Sequence, residues 1–492
     1  MWLKKFNPLQ LSFLLISAAF AAVLLLRITL VFSYVPETGG VSVNVLFALM
    51  RLLNGFPLYS NPELPPYPVV QYMPLHYYVV LLFAKISGIQ QNVHAVSVLN
   101  RLLCLAYDLL VIIPIRNILI KIFGISSKRL IASAFMCIFL VLPNPDYSRV
   151  DNLYLLLFFI AVYFFLKFIS ESNSNSRNLI YGAVTAALAI FTKQSGLFLL
   201  GAIEIYLIFF YRKWKSFLQL NAVVLFTVLL LFYLFAGNQS FAFYQNTVLG
   251  LKNGISLNWF DEVIIKTFFF RMYFFVAVGL ALAILSLKTF KNERLRFIGI
   301  ISIVVFACSV SASLKWGSST NYFTEFLSLT FISSAVYLNT NPPVSPLPKY
   351  AAIPVSLFFI LVVFNDKGWG HLANLNKSKR NYAQSMEVHH YLSEKLQKDD
   401  LLFINFHKEN LLNVMFYAHA VFPQREIITH CTYPKKIFQY DDFSDQFQKG
   451  KVKFYVTRRN KIPEPFLQWN FNGFVRDTAI GEFEIFRNEQ VR

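Results

Sequence analysis

What most constrains this chain is a series of long apolar runs that recurs from the N-terminus to about residue 365. Leu9 to Val35, Leu153 to Phe168, Leu218 to Ala236 and Phe297 to Leu314 are examples. Each approaches the roughly 20 residues an α-helix needs to cross a bilayer. The composition agrees: the 492 residues are 56% hydrophobic and 14% charged, against about 25% charged in a soluble domain. So few charges cannot cover a water-facing surface of this size. The 53 Phe and 25 Tyr suit lipid-facing surfaces and interfacial belts. A formal net charge of +19 would point to nucleic acid in a soluble protein. Here Lys and Arg collect in short loops between apolar runs, as the positive-inside rule and anionic head groups require. Membrane lipids are therefore the expected partners, and nucleic acid is not.

The run after Lys4 and Lys5 is too long for a signal peptide and shows no small-residue cleavage site. It reads as an uncleaved first helix with a cytoplasmic N-terminus. Apolar spans near 9–33, 75–90, 94–115, 129–143, 152–169, 178–192, 195–211, 216–236, 263–287, 297–314, 323–339 and 350–365 follow. The basic clusters Arg116/Lys121/Lys128/Arg129, Lys167/Arg177, Arg212/Lys213/Lys215 and Lys288/Lys291/Arg294/Arg296 should face the cytoplasm. That puts the loops near 143–151, 193–195, 238–262 and 315–322, and everything after about 366, outside. Two crossings between 75 and 115 would place Arg116 on the wrong side. Either that stretch crosses an odd number of times, or one piece is re-entrant, or the charge rule fails at one loop. The expectation is 11–13 crossings in a module over 1–365. Cys104, Cys137 and Cys308 lie inside apolar spans and Cys431 stands far off, so neither a structural disulfide nor a Cys-based metal site is expected.

The loop 34–74 begins with Val41 to Leu53, where Val41, Val45, Ala48, Leu49 and Leu52 share one helical face. This spacing predicts an amphipathic helix on the membrane surface. Gly55 to Pro74, rich in Pro, Tyr and Asn, should be irregular. From 366 to 492 charges become frequent. Gln384 to Lys398 reads as a helix, and Leu401–Phe406, Lys453–Thr457 and Glu482–Phe486 as strands, enough for one small soluble α/β domain.

Ionisable groups at the ends of apolar spans are costly there and are candidates for function. Glu37 follows Pro36 where the first helix emerges; its carboxylate suits a base that takes a proton from an attacking hydroxyl, or is simply a solvated loop charge. Arg149 and Asp151 open a span. Arg149 can take a phosphate by two parallel hydrogen bonds, and Asp151 a sugar hydroxyl, a metal or Arg149 itself. Lys193 and Gln194 occupy a hairpin too short to be well solvated, where a lipid phosphate is a natural partner and snorkelling to head groups the alternative. Lys315, Gly317 and the following hydroxyls suit an anion cradle. Asn321, Tyr322 and Glu325 then start a helix, with Asn321 and Glu325 one turn apart; a capped polar hairpin is the plainer reading. Tyr59, Tyr72 and His76 lie in Gly55-Phe-Pro-Leu-Tyr59 and Val70-Gln-Tyr-Met-Pro-Leu-His-Tyr-Tyr78, where Tyr72 and His76 would line a pocket mouth. The residues fix no cofactor and leave a divalent cation open.

The order of these motifs resembles the bacterial GT-C-type glycosyltransferases, in the broad group of family 39 and the lipid A aminoarabinose transferase-like enzymes. It runs from an acidic first outer loop through G-x-P-L-Y, Q-Y-x-P-L-x-Y-Y, R-x-D and T-K-Q to G-S-x-x-N-Y-x-x-E, over roughly residues 1–340. The resemblance implies a polyprenyl-phosphate-linked sugar donor, transfer on the non-cytoplasmic face of the bacterial inner membrane, and Glu37 as the catalytic acid-loop residue. Many relatives carry an Asp or an acidic pair where this chain has a single Glu. A sugar phosphate is a good leaving group, so one carboxylate base plus cations on the phosphate suffice for inverting transfer to a lipid, glycan or protein. A glycosidase would need two carboxylates. Two other classes compete: a transporter or flippase, against which the lack of a repeated half counts, and a non-catalytic envelope assembly protein that docks through its tail.

Overall fold

The computed structural model describes residues 7–34, 41–142, 149–171, 176–252, 254–288, 292–341, 346–365, 369–405, 411–421, 438, 451–459 and 473–490. Helix α1 (Pro8–Val31) is followed by α2 (Val41–Leu53) and α3 (Leu75–Ile86). Helix α4 (Val93–Leu110), α5 (Ile112–Asn117) and a π-helical turn Ile118–Ile122 run on as one rod. Next come α6 (Lys128–Val141), α7 (Asp151–Ser170), α8 (Ser176–Ile190), α9 (Gly196–Ile205) and α10 (Trp214–Ala236). After α11 (Ser240–Thr247) and α12 (Leu257–Trp259), π-helical Phe260–Phe269 leads into α13 (Phe270–Lys288); α14 (Glu293–Ser313), α15 (Thr324–Thr340) and α16 (Pro346–Asn365) complete the bundle.

Side-chain caps set several of these starts. Asn7 accepts from Leu9 N, Asn92 from Ala95 N, Ser127 from Leu130 N and Asn292 from Leu295 N, each satisfying a backbone donor that the first turn leaves open.

Among the described residues six helical runs are long and apolar enough to cross a membrane: Pro8–Val31, Val93–Ile122, Asp151–Ser170, Trp214–Leu251, Leu257–Lys288 and Glu293–Ser313. Among them pack α6, α8, α9, α15 and α16: α8 on α7 and α10, α9 on α14, α15 on α13 and α6, α16 on α1. Within 75–115 one such run is found where the sequence offers two apolar spans. Helix α3 has 12 residues, about 18 Å at 1.5 Å per residue, against a hydrocarbon core of about 30 Å. The 30-residue run Val93–Ile122 is the one rod here that is long enough.

The bundle has two chemically distinct ends. At one end Arg294 donates to Ile122 O at 2.6 Å and Tyr206 to Glu293 Oε2 at 2.7 Å. These bonds gather the segments around 116–129, 206–215 and 292–296, where basic residues are dense. At the other end the starts of α7, α9 and α15 meet.

Beyond α17 (Gly370–Ala373) and α18 (Leu375–Ser393) the described residues form a five-stranded sheet of β1 (Leu401–Asn405), β2 (Ala420–Val421), β3 (Val452–Arg458), β4 (Phe474–Ile480) and β5 (Phe483–Asn488), with α19 (Leu412–Met415) between β1 and β2. The strand order is β2-β1-β3-β5-β4. Strand β1 is parallel to both neighbours, and β5 is antiparallel to both of its own. The α/β domain is thus the expected kind, with strands on the three predicted segments. Strand β4 carries no clean alternation, and pairing to β5 holds it in the sheet.

This domain shares a core with the segment after α1. Val45, Leu46, Phe47, Leu49 and Met50 of α2 cluster with Leu392, Leu402, Leu412, Phe454 and Ile485. Arg51 donates to Tyr417 O at 3.0 Å. The helix expected at 41–53 forms, and what covers its apolar residues is protein.

Candidate functional site

The polar cluster is assembled from the starts of α7 and α15 and the α8–α9 turn at one end of the bundle. Helix α8 ends at Ile190 and α9 begins at Gly196. The turn is so tight that a Cβ on Gly196 would stand 2.6 Å from Ile190 N and 2.8 Å from Ala189 C. Both are backbone atoms, so glycine is required. The turn presents Lys193, 5% exposed, to the start of α7. There Lys193 Nζ meets Asp151 Oδ1 at 2.6 Å, and Asn321 Nδ2 donates to the same oxygen at 2.9 Å.

The ammonium also lies 5.0 Å from the Tyr322 ring centre and 5.6 Å from that of Tyr154, within cation–π range. Burial opposes the charge on Lys193. The Asp151 carboxylate, with Glu325 and Tyr322, outweighs it and holds the ammonium pKa above its ordinary value.

Arg149 is buried beside this pair and acts on Asp151 electrostatically. Its carbonyl accepts from Cys104 Sγ at 3.4 Å. Glu325, 3% exposed, adjoins the Tyr154 hydroxyl, which donates to Ser195 O at 3.3 Å. Among the described residues Asp151 Oδ2 and Glu325 Oε2 have no hydrogen-bond partner. Both residues line a cavity of about 10 Å³, together with Asp108, Asn152 and Asn321. That is the size of one water molecule. The half-buried face of the cluster is formed by Tyr72, Asn321 and Tyr322.

The segment 56–74 is latched over this site. Gln194 Nε2 donates to Gln71 O at 2.8 Å and Thr247 O at 3.3 Å. Val70 N donates to Asn246 Oδ1 at 2.7 Å. The Tyr59 hydroxyl donates to Tyr72 O at 2.8 Å. Tyr72 thereby stands within electrostatic reach of Arg149, Asp151, Lys193 and Tyr322, and burial raises the pKa of its hydroxyl.

Of the residues singled out from sequence, Arg149, Asp151, Lys193, Asn321, Tyr322, Glu325 and Tyr72 are thus brought together, while Gln194 and Tyr59 fasten the latch. His76 is fully buried in α3, its Nε2 2.9 Å from Asn100 Oδ1. Lys315 belongs to a different junction, pairing through its backbone with Ile255. Glu37 lies outside the described residues.

Sequence reasoning missed a second buried pair. Arg27 of α1 and Asp108 of α4 form an ion pair, each about 2–3% exposed. Asn152, next to Asp151, donates to Asp108 Oδ1 at 2.9 Å. Arg27 also lies 4.3 Å from the Phe139 ring centre. A charge inside each of two apolar runs was the available signal. Arg101 donates to Leu30 O and Ser33 O at 3.0 and 2.9 Å, fixing the end of α1. Among the described residues no group of three or more His, Cys, Asp or Glu could hold a metal ion.

A bundle of apolar helices with charged residues gathered at one end, capped there by an α/β domain, defines a polytopic membrane protein, and its fold is that of the GT-C-type membrane glycosyltransferases. The particular likenesses are to solved structures, since no protein-family model and no curated protein matches the sequence. The chain is similar to ArnT from Cupriavidus metallidurans bound to undecaprenyl phosphate, at 12% identity and TM-score 0.63, over 96% of this chain and 98% of that one. It is also similar to the Archaeoglobus fulgidus oligosaccharyltransferase in its apo form, at 14% identity and TM-score 0.53, covering 93% of this chain and 70% of that one. The Archaeoglobus fulgidus oligosaccharyltransferase AglB, in complex with an inhibitory peptide and a dolichol-phosphate, gives 12% identity and the same TM-score and coverage.

Proposed function

We propose that this chain is an inverting glycosyltransferase of the bacterial inner membrane. It moves a sugar from a polyprenyl-phosphate-linked donor to a lipid, glycan or protein acceptor on the non-cytoplasmic face. The observation that carries the reading is the buried Lys193–Asp151–Asn321 cluster, with Arg149 beside it, at the end of the bundle that also bears the α/β domain. Lipid phosphates bound by similar folds support it: undecaprenyl phosphate in ArnT and a dolichol-phosphate in AglB.

The helix inventory supports the same orientation. Among the described residues, counting the six long runs with the shorter α6, α8, α9 as continued by π-helical Tyr206–Phe210, α15 and α16, and leaving out the 12-residue α3, makes eleven crossings. With the N-terminus in the cytoplasm, every basic cluster from Arg116 to Arg296 then falls inside. The polar cluster and the residues after 366 fall outside.

In this reading Glu37 takes the proton of the acceptor hydroxyl as its oxygen bonds to the sugar's anomeric carbon. The bond from that carbon to the phosphate oxygen breaks, and its electron pair leaves with the polyprenyl phosphate. Displacement from the opposite face inverts the centre. Arg149 and Lys193 stabilise the departing phosphate charge in a site poor in water, where such charges act most strongly. Asp151, Asn321, Tyr322 and Glu325 shape the sugar pocket, and Asp151 keeps Lys193 in place. Tyr72, held by Tyr59 and Gln194, orients the donor.

Mass spectrometry of lipid-linked glycans in a strain lacking this chain tests the reading. Accumulation of one polyprenyl-phosphate sugar, with loss of one glycosidic linkage from the envelope, supports it. Purified protein in liposomes that moves the glycolipid across the bilayer without forming a new bond makes it a transporter instead.

A further inference from the structure

A second cavity, of about 540 Å³, opens where α18 and the segment after α19 face the start of α4. It is separate in chemistry from the charged cluster. Its walls include the rings of Tyr382, His389, Phe416 and His419, with Asn92 and Ser393 among them. Among the described residues no Lys, Arg, Asp or Glu lines it. We propose that this groove binds a neutral saccharide, which, on the reading given above, is the glycan portion of the acceptor.

The size falls within the roughly 300–1,000 Å³ of ordinary ligand sites. The lining decides the class of ligand. A lipid phosphate or acidic sugar calls for cations, and none of the described lining residues is a Lys or Arg. A hydrocarbon chain is poorly matched by two imidazoles, the Gln91 and Asn92 amides and the hydroxyls of Ser393, Tyr382 and Tyr417, whose desolvation it would not repay. A pyranose meets both demands, with apolar ring faces for aromatic walls and hydroxyls for the polar groups.

The polar groups retain capacity. Asn92 caps α4 through its oxygen, which takes Ala95 N at 2.9 Å. His419 Nδ1 is 3.0 Å from Asp400 O, so Nε2 faces elsewhere. His389 lies 4.8 Å from Phe416 between ring centres. Burial, with His390 nearby, lowers its pKa and so favours the neutral, hydrogen-bonding form.

The groove is also tied to both modules. The Tyr382 ring lies 4.7 Å from that of Tyr34 just after α1, tilted by 36°, and Tyr34 stacks 3.9 Å from His94 in the first turn of α4. A saccharide seated there touches the α/β domain while lying next to the emerging end of the first membrane helix.

The test is saturation-transfer NMR on the full chain in lipid nanodiscs, titrated with three uncharged disaccharides: maltose, lactose and N,N′-diacetylchitobiose. At least one should bind saturably. Met386→Trp and Ser393→Trp, which fill the groove at exposed positions, should each weaken it at least tenfold. Excess undecaprenyl phosphate should leave it unchanged. Absence of saturable binding by all three sugars, binding indifferent to both tryptophans, or displacement by undecaprenyl phosphate overturns the proposal. Because the readout is binding, loss of the glycosyltransferase reading alone would leave the result standing.

Discussion

Lys193 Nζ sits 2.6 Å from Asp151 Oδ1 although 42 positions separate them in sequence. Both are buried, at 5% and 6% exposure. Removing one member of such a pair leaves an uncompensated charge and costs about 3–5 kcal/mol. Lys193→Met and Asp151→Asn should each lower the thermal unfolding midpoint in detergent. The double variant should be less destabilised than the sum of the two singles, as expected for residues in direct contact. Strict additivity would mean the two side chains do not support each other.

The same pair sets a pH dependence. Burial disfavours the Lys193 charge, but Asp151, Glu325 and Tyr322 raise its pKa above the ordinary 10.5. A raised folded value means the stabilisation is fully present below the unfolded value and is lost only as pH climbs through the folded one. Unfolding midpoints of the wild type minus those of Lys193→Met should therefore stay constant from about pH 7 to about pH 10. A difference that collapses within that interval would show that Lys193 is not held as a cation.

Gly196 provides a steric test of the same turn. A methyl group there would meet Ile190 N and Ala189 C, so the backbone must move. Gly196→Ala should displace Lys193, lowering both stability and activity. Gly201→Ala, with nothing within 4 Å of the added carbon, should be silent. The measurement is the unfolding midpoint of the two variants side by side.

Arg27 and Asp108 form the second buried pair, bridged to the start of α7 through Asn152. Arg27→Met or Asp108→Asn should each cost about 3–5 kcal/mol. Each should also reduce kcat more than KM, because Asn152 adjoins Asp151 in the chain. Wild-type turnover in a stably folded Asp108→Asn variant would confine the pair to a structural role.

Much of the cluster was legible in the sequence because a charged or amide side chain at the edge of an apolar run is conspicuous. Asp151, Lys193, Asn321 and Glu325 were found that way. Their mutual contact was not legible, since it depends on how α7, α8 and α15 pack. Arg27 and Asp108, 81 positions apart, are surrounded by apolar neighbours, and neither reveals its partner. The run 75–90 has the hydropathy of a span but forms a 12-residue helix, ending before Ser87 and Gly88. The amphipathic pattern of 41–53 pointed to the membrane surface, whereas Leu46, Phe47 and Met50, off the expected face, are buried too and protein covers the helix. Strand β4 lacks alternation because its neighbours, rather than its own pattern, determine its place.

The central claim is that cations at the helix ends hold a polyprenyl phosphate while a carboxylate of the first outer loop activates the acceptor. The direct measurement uses purified protein in liposomes, supplied with the polyprenyl-phosphate sugar fraction from a strain lacking this chain. Mass spectrometry then counts new glycosidic product and released polyprenyl phosphate. The account predicts stoichiometric formation of both by the wild type, and neither by folded Glu37→Gln or Lys193→Met. Undiminished turnover by both variants would contradict it.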